Sequence, residues 1–392
     1  MKKGWELKKL GEISEYFNGL TYSPKNVSEK GMVVLRSSNV QNDELDFSDI
    51  VRVNLSVKEK LTVKNGDILM CSRNGSKRLV GKTASINNLN EAMTFGTFMM
   101  IIRSQYNPYL SWFFKSTEFR KQISGGENTM INQITRYMLD DVEVPFPPKN
   151  EQKKIVAILD EAFIAIANAK LNAQKNLKNA QDFFESYLQN VFYGEGNEWE
   201  KKKLSTVCEL IMGQSPAGET YNSDGIGIPL INGPVEFGKE PFSKTIKSKF
   251  TTDPTKYCKK GDLILCVRGS TTGRINIAGF DACIGRGVAA IRYKENQKWL
   301  NYFFLFSRRM IYDLGTGATF PNVSGEILKN LKIPIPSLII QKQIIEKLDV
   351  LSTETKKLES IYQQKIEDLE ELKKSVLQKA FNGELNTSKI PD

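Results

Sequence analysis

Asn150-Glu151-Gln152-Lys153-Lys154-Ile155-Val156-Ala157-Ile158-Leu159-Asp160 returns, 189 residues later, as Ile339-Ile340-Gln341-Lys342-Gln343-Ile344-Ile345-Glu346-Lys347-Leu348-Asp349. The far end of the segment keeps the same offset, because Phe192-Tyr193-Gly194-Glu195 matches Phe381-Asn382-Gly383-Glu384. A stretch repeated without insertion is held to a fixed length. Apolar or small residues recur in steps of three and four at Ile155, Leu159, Ala162, Ile166, Ala169, Ala173, Leu177, Ala180, Phe184, Tyr187 and Val191. The second copy repeats the rhythm at Ile344, Leu348, Leu351, Thr355, Leu358, Tyr362, Ile366, Leu369, Lys373, Val376 and Ala380. That spacing is a coiled-coil seam, so helices are expected from about Asn150 to Tyr193 and from Ile339 to Asn382. At 1.5 Å per residue each would be roughly 65 Å long, against an average globular helix of about 11 residues. An isolated helix would expose its apolar stripe, and the two copies are expected to bury theirs against each other.

Outside the helices the chain repeats more loosely. Trp5-Glu6-Leu7-Lys8-Lys9-Leu10 returns as Trp199-Glu200-Lys201-Lys202-Lys203-Leu204, and Gly19 falls on Gly213. Each opening is read as a packing anchor at Trp followed by a short helix ending at the Gly. Val33 to Leu35 reads as a strand entering the polar turn Arg36-Ser37-Ser38-Asn39, and Ile228 to Ile231 enters Asn232-Gly233 at the comparable place. Gly66-Asp67 and Gly261-Asp262 each make a turn feeding a buried strand that ends at Arg73 or Arg268 and then a Gly-rich basic loop. Strands at Thr97 to Arg103 and Val288 to Tyr293 follow, then helices at Tyr109 to Ile123 and Trp299 to Leu314. Each half closes on a Pro-rich exit, Val144-Pro145-Phe146-Pro147-Pro148 and Ile333-Pro334-Ile335-Pro336; Pro excludes its predecessor from the helix, so these are boundaries. The expected organisation is a first module at 1–148, a helix at 149–195, a second module at 196–338, a helix at 339–385 and a tail at 386–392.

Composition narrows the chemistry. The 392 residues suffice for two to three domains and contain no histidine, which closes His triads, His metal ligands and imidazole bases. The five cysteines form no CxxC pair and suit a reducing cytoplasm; no signal peptide or membrane-spanning run is read in the sequence. The net charge of +10 divides as +4 and +7 on the modules and 0 and −1 on the helices, as in a neutral spacer carrying two polyanion-binding modules.

Together the paired Trp openings, the Gly-Asp strands, the Pro-x-Pro exits and the helix ending at Leu377-Gln378-Lys379-Ala380-Phe381-Asn382-Gly383-Glu384-Leu385 resemble the specificity subunit of type I restriction-modification systems, over nearly the whole chain. The first helix departs from that pattern in being rich in Ala and Asn from Ala165 to Ala180, and its module lacks a Pro matching Pro321. The resemblance implies an α+β fold of two pseudo-repeated target-recognition domains, related by a pseudo-twofold and separated by two long antiparallel helices. It implies a non-catalytic subunit that reads one half of a split DNA target with each domain. Its partners would be double-stranded DNA, two methyltransferase subunits and restriction or translocase subunits. S-adenosylmethionine and ATP with magnesium would sit on those partners, and no cofactor or metal on this chain.

Base edges are read by Arg, Asn, Gln, Ser and Thr in loops, and phosphates are held by Lys and backbone amides. The candidates in the first module are Arg36, Ser38, Asn39, Arg73, Lys77, Arg78, Lys82, Thr129, Asn132 and Gln133. In the second they are Asn232, Arg268, Thr271, Thr272, Arg274, Arg286, Thr319 and Asn322. Each could instead stabilise a turn.

Three other readings compete. Gly81-Lys82-Thr83 resembles the end of a phosphate-binding loop, but Ser76 stands where that motif needs Gly. Asn107-Pro108-Tyr109 is one Pro short of the adenine methyltransferase tetrapeptide and reads as a helix start, with Asn capping and Pro in the first turn. Glu6-x-Lys8 and Glu200-x-Lys202 lack the upstream Asp of a nuclease. A basic coiled-coil scaffold and an RNA binder remain as alternatives to a DNA reader.

Overall fold

The computed structural model describes residues 2–124, 132–194, 199–317 and 320–388, in two compact units. The first unit comprises 1–174 and 363–392, and the second 175–362. Each therefore combines one module with a stretch of both long helices, which run Lys149–Tyr193 and Leu338–Phe381.

The two units are built alike. In the first, Glu15–Asn18, Met99–Arg103, Ile68–Cys71 and Thr83–Ser85 form an antiparallel sheet in that order. In the second, Glu209–Met212, Val288–Arg292, Leu263–Cys266 and Ile275–Ile277 repeat it. Period-two alternation then divides the core. Ile68, Met70, Met100 and Ile102 face a cluster built on the helices, while Leu69, Cys71, Met99 and Ile101 face a second cluster. Leu263, Leu265, Ala289 and Ile291 separate from Ile264, Cys266, Val288 and Ala290 in the same way. Covered on both faces, these strands read as unbroken apolar runs. The outer layer is a mixed sheet holding one parallel pair, Val33–Leu35 beside Met93–Phe95 in one unit and Leu230–Ile231 beside Cys283–Ile284 in the other. A ribbon closes each module, pairing Glu6–Lys9 with Glu143–Phe146 and Lys201–Lys203 with Lys332–Pro334.

The repeated motifs now have physical roles. Gly66 and Gly261 take φ of +88° and +95°, in the region that favours glycine. The Asp beside each is 2% exposed and accepts a two-pronged bond from the strand opposite. Arg103 donates Nε and Nη2 to Asp67 at 2.7 and 2.6 Å, and Arg292 donates the same pair to Asp262 at 2.7 and 2.7 Å. Each carboxylate also accepts the backbone N–H three residues before it. Asp67→Ala leaves the Arg103 guanidinium without a carboxylate and should destabilise its own unit by about 3 kcal/mol, measured by denaturant titration; Asp262→Ala should cost its unit less, because Arg292 also donates Nη1 to Glu209 at 2.7 Å. A loss below about 1 kcal/mol would reduce the motif to turn chemistry. Gly19 and Gly213 are matched because the backbone passes too close for a side chain: a Cβ there would collide with the carbonyl oxygen of Gly96 or Gly285.

The long helices dock by equally paired contacts. Gln152 and Gln341, both buried, donate Nε2 to Pro147 O at 2.8 Å and Pro336 O at 2.9 Å, tying each helix start to its exit. Asp160 accepts Trp112 Nε1 at 2.9 Å, and Asp349 accepts the Tyr302 hydroxyl at 2.7 Å. Burial, reinforced by the Asp349 carboxylate, pushes the Tyr302 phenol up and keeps it a donor. Along the first helix every seam position is buried or half-buried, and along the second only Leu358 is exposed, at 41%. The helices run antiparallel in each unit. Lys170 meets Glu370 at 2.5 Å and Lys373 lies over Phe163 in the first, while Phe183 and Tyr187 share a groove with Gln343, Val350 and Leu351 in the second.

Several expectations need correction. The helix after each Trp opening is one turn, Leu10–Ile13 and Leu204–Val207, and a strand, not a helix, leads to Gly19 and Gly213. The sheet edge captures those residues because their partner strand has free backbone groups there. The helices at Tyr109 to Ile123 and Trp299 to Leu314 are each broken in two; Ser116 makes the first break by bonding Phe113 O and accepting Phe119 N–H. Asn107 does not cap. It is the first residue of its helix, and its buried amide donates to Gly66 O at 2.6 Å and Ile102 O at 3.0 Å, buried carbonyls that compete successfully for it. Trp5 is the anchor expected of it, 6% exposed with Nε1 donating to Glu151.

Candidate nucleic-acid interface

Each buried strand hands its chain to the surface through one device. In the first module the backbone N–H groups of Ser72 and Arg73 both donate to Phe98 O, at 3.0 and 3.1 Å, and Ile134 N–H donates to Ser72 O at 2.8 Å. Arg73 and Gln133 are thereby set opposite each other in an isolated antiparallel bridge. In the second, Val267 N–H donates to Gly287 O and Val323 N–H to Val267 O, both at 2.9 Å, which sets Arg268 opposite Asn322 in the same kind of bridge.

Neighbouring loops join these bridges. Asn74 donates Nδ2 to Ser37 Oγ at 3.1 Å, so the loop after Arg73 touches the turn after Arg36, and its Oδ1 accepts Ser76 N–H. In the second module Ser215 donates to Asn232 Oδ1 at 3.4 Å and accepts Arg286 N–H at 3.1 Å. The structure thus brings Arg36, Arg73 and Gln133 to one loop cluster, and Asn232, Arg268, Arg286 and Asn322 to another.

The charge of the loops after Arg73 and Arg268 follows from the sequence. No acidic residue occurs between Asp67 and Glu91, nor between Asp262 and Asp281. Arg73, Lys77, Arg78, Arg268 and Arg286 are exposed, and so are Asn132 and Gln133. A polyanion is the ligand such loops suit.

Other candidates build the loops instead of presenting a free end. Asn39 is 1% exposed; its Oδ1 accepts Arg36 N–H and its Nδ2 donates to Asp46 O and Asp49 O. Lys82 donates Nζ to Val40 O at 2.5 Å, and Thr272 donates to Gly269 O and Pro321 O. Arg36 is paired with Asp49 at 2.7 Å, and Arg274 lies half-buried over Phe237. Ser38 and Thr271 are half-buried, and Ser38 Oγ has no hydrogen-bond partner among the described residues. Thr129 and Thr319 lie outside the described residues.

Two residues escaped the sequence reading. Phe98 falls inside the strand expected at Thr97 to Arg103, yet the strand begins at Met99 and the Phe98 ring is 54% exposed beside the Arg73 guanidinium, 5.9 Å from ring centre to cation. The Gly96-Thr97 turn just before it was the signal available. Ser215 carried no local signal, since its partners are 17 and 71 residues away. The cysteines are free, and burial pushes Cys208 and Cys258 up to about 12 and Cys266 up to about 11, so these thiols stay protonated at neutral pH.

Residues 2–178 and 196–368 match the family model of the type I restriction modification DNA specificity domain. The chain is similar to the MjaX specificity subunit of Methanocaldococcus jannaschii, 29% identical, with 97% of this chain and 93% of that protein covered. It is also similar to the type I restriction enzyme EcoKI specificity subunit of Escherichia coli (strain K12), 23% identical over 98% of this chain and 90% of that one. Its fold is similar to the HsdS subunit of Thermoanaerobacter tengcongensis, with a TM-score of 0.66, 23% identity and 98% of each chain covered.

Proposed function

We infer that this chain, which belongs to the type I restriction modification DNA specificity family, reads a bipartite, asymmetric DNA target with one half-site per module and a gap set by the long helices. It recognises DNA by sequence and is not itself an enzyme. The observation that carries the two-half reading is the recurrence of one device, an exposed Arg on an acid-free loop opposed to a carboxamide, in two modules whose surroundings have diverged. Unlike loops on a common frame suit unlike half-sites. The modules occupy 1–148 and 196–338 and the spacers 149–195 and 339–385.

In the complete assembly two methyltransferase subunits and restriction or translocase subunits dock on this scaffold, and S-adenosylmethionine and ATP with magnesium are theirs. The reducing cytoplasm is where we place it. Duplex DNA is favoured over RNA because the four-stranded sheets are covered on both faces and offer no open stacking platform among the described residues.

Co-expression with a methyltransferase subunit of the same system, followed by mapping of methylated adenines, tests the reading. The expected result is a split motif with a fixed unspecific gap, methylated only when this chain is present. A complex that forms and leaves adenines unmodified, or RNA outcompeting duplex DNA at equal salt, would overturn it.

A further inference from the structure

Four of the exposed or half-exposed interface side chains remain uncommitted and occupy equivalent places in the two modules. Among the described residues, the side chains of Arg73, Gln133, Arg268 and Asn322 make no hydrogen bond, while Arg36, Asn39, Lys82 and Thr272 are held by loop groups. Opposed residues of an antiparallel pair put their side chains on the same face with Cβ atoms about 4.5–5.5 Å apart. Successive base pairs are about 3.4 Å apart, so each pair of side chains spans one base step. A guanidinium fork matches the O6 and N7 acceptors of guanine, and a carboxamide matches the N6–H and N7 of adenine.

We propose, resting on the DNA reading above, that each half-site contains a guanine next to an adenine. Arg73 reads the guanine and Gln133 the adenine in one half, and Arg268 and Asn322 take the same roles in the other. The surroundings differ in one respect. Phe98 flanks Arg73, whereas Gly287 supplies the equivalent carbonyl beside Arg268. A ring alongside the guanidinium limits its orientations, so the first module discriminates its guanine more sharply than the second.

The test uses the full chain in complex with its methyltransferase subunit, on duplexes randomised through both half-sites at fixed gap. Arg73→Ala should relax preference at one guanine of one half-site by about 10- to 100-fold, leaving the other positions unchanged. Arg73→Lys should relax it almost as far, because Lys keeps the charge and loses the fork. Gln133→Ala should relax only the neighbouring adenine, and Phe98→Gly should weaken the guanine preference with Arg73 intact. Three results would overturn the proposal: wild-type half-sites without a neighbouring guanine and adenine, Arg73→Lys retaining full preference, or Arg73→Ala lowering affinity uniformly with a shallower salt slope. The last marks a phosphate contact, and the second would show that the charge suffices without the fork. A wild-type complex with no base preference would instead sink the DNA reading itself.

Discussion

Inserting four helix-forming residues after Gln174 and four after Tyr362 should lengthen the preferred gap between half-sites by about one to two base pairs and leave the bases of each half-site as they were. These points lie where the two helices pass from one compact unit to the other, so neither module core is disturbed. Four residues add about 6 Å of helix, and a base pair occupies about 3.4 Å. Binding to the original gap should fall by about 10²- to 10⁴-fold, because only one module at a time can then engage and the benefit of linkage is lost. Selection from duplexes that vary only in gap length gives the answer. An unchanged gap would mean that something other than helix length sets the separation.

Phe192→Ala and Phe381→Ala should each cost about 3–5 kcal/mol, and each in a different unit. Phe192, at the end of the first long helix, sits 5.0 Å from Trp299 and 5.6 Å from both Phe303 and Phe306, ring centre to ring centre. Phe381, at the end of the second, lies 5.4 Å from Tyr109 and from Phe113. Both are nearly buried, 3% and 4% exposed, so truncation leaves a cavity inside a packed aromatic cluster. Hydrogen exchange should show Phe192→Ala lowering protection in Gln297–Phe306 and sparing Asn107–Phe113, with the reverse for Phe381→Ala. Equal loss in both units from either variant would show that the chain unfolds as a single cooperative block.

The two Phe residues also illustrate what a repeat reveals. Their matched place at the two helix ends marks them as equivalent in the sequence alone, and the same is true of Gln152 with Gln341 and Asp160 with Asp349. None of these pairs disclosed its role. Gln152 and Gln341 could equally have faced solvent on a polar stripe; only packing against the Pro exits shows them holding the helix starts. The Gly-Asp motif was legible as a turn, while the Arg that completes it lies 36 positions away in one module and 30 in the other. Elements were misread where local propensity met a tertiary partner. Glu15–Asn18 continues a helical opening by pattern, yet the edge of Met99–Arg103 pairs with it.

At the interface the division is sharper. Residue type and loop position nominated Asn39, Lys82 and Thr272 on the same terms as Arg73 and Gln133, and nothing local separates a loop-building side chain from a free one. Which groups hydrogen-bond to backbone carbonyls depends on segments brought together from afar, such as Val40 beside Lys82 or Pro321 beside Thr272.

The amino-acid sequence by itself determined the doubled order of module and helix, the length and seam of the helices, and the segregation of positive charge onto the modules. Those properties arise from periodicity and composition, which act over a few residues at a time. Only the tertiary structure decided that Arg73 meets Gln133 and Arg268 meets Asn322, and which candidate side chains among the described residues are held by loop groups. Those outcomes depend on contacts between residues far apart in the chain, where a hydrogen bond to a distant carbonyl removes a side chain from the surface.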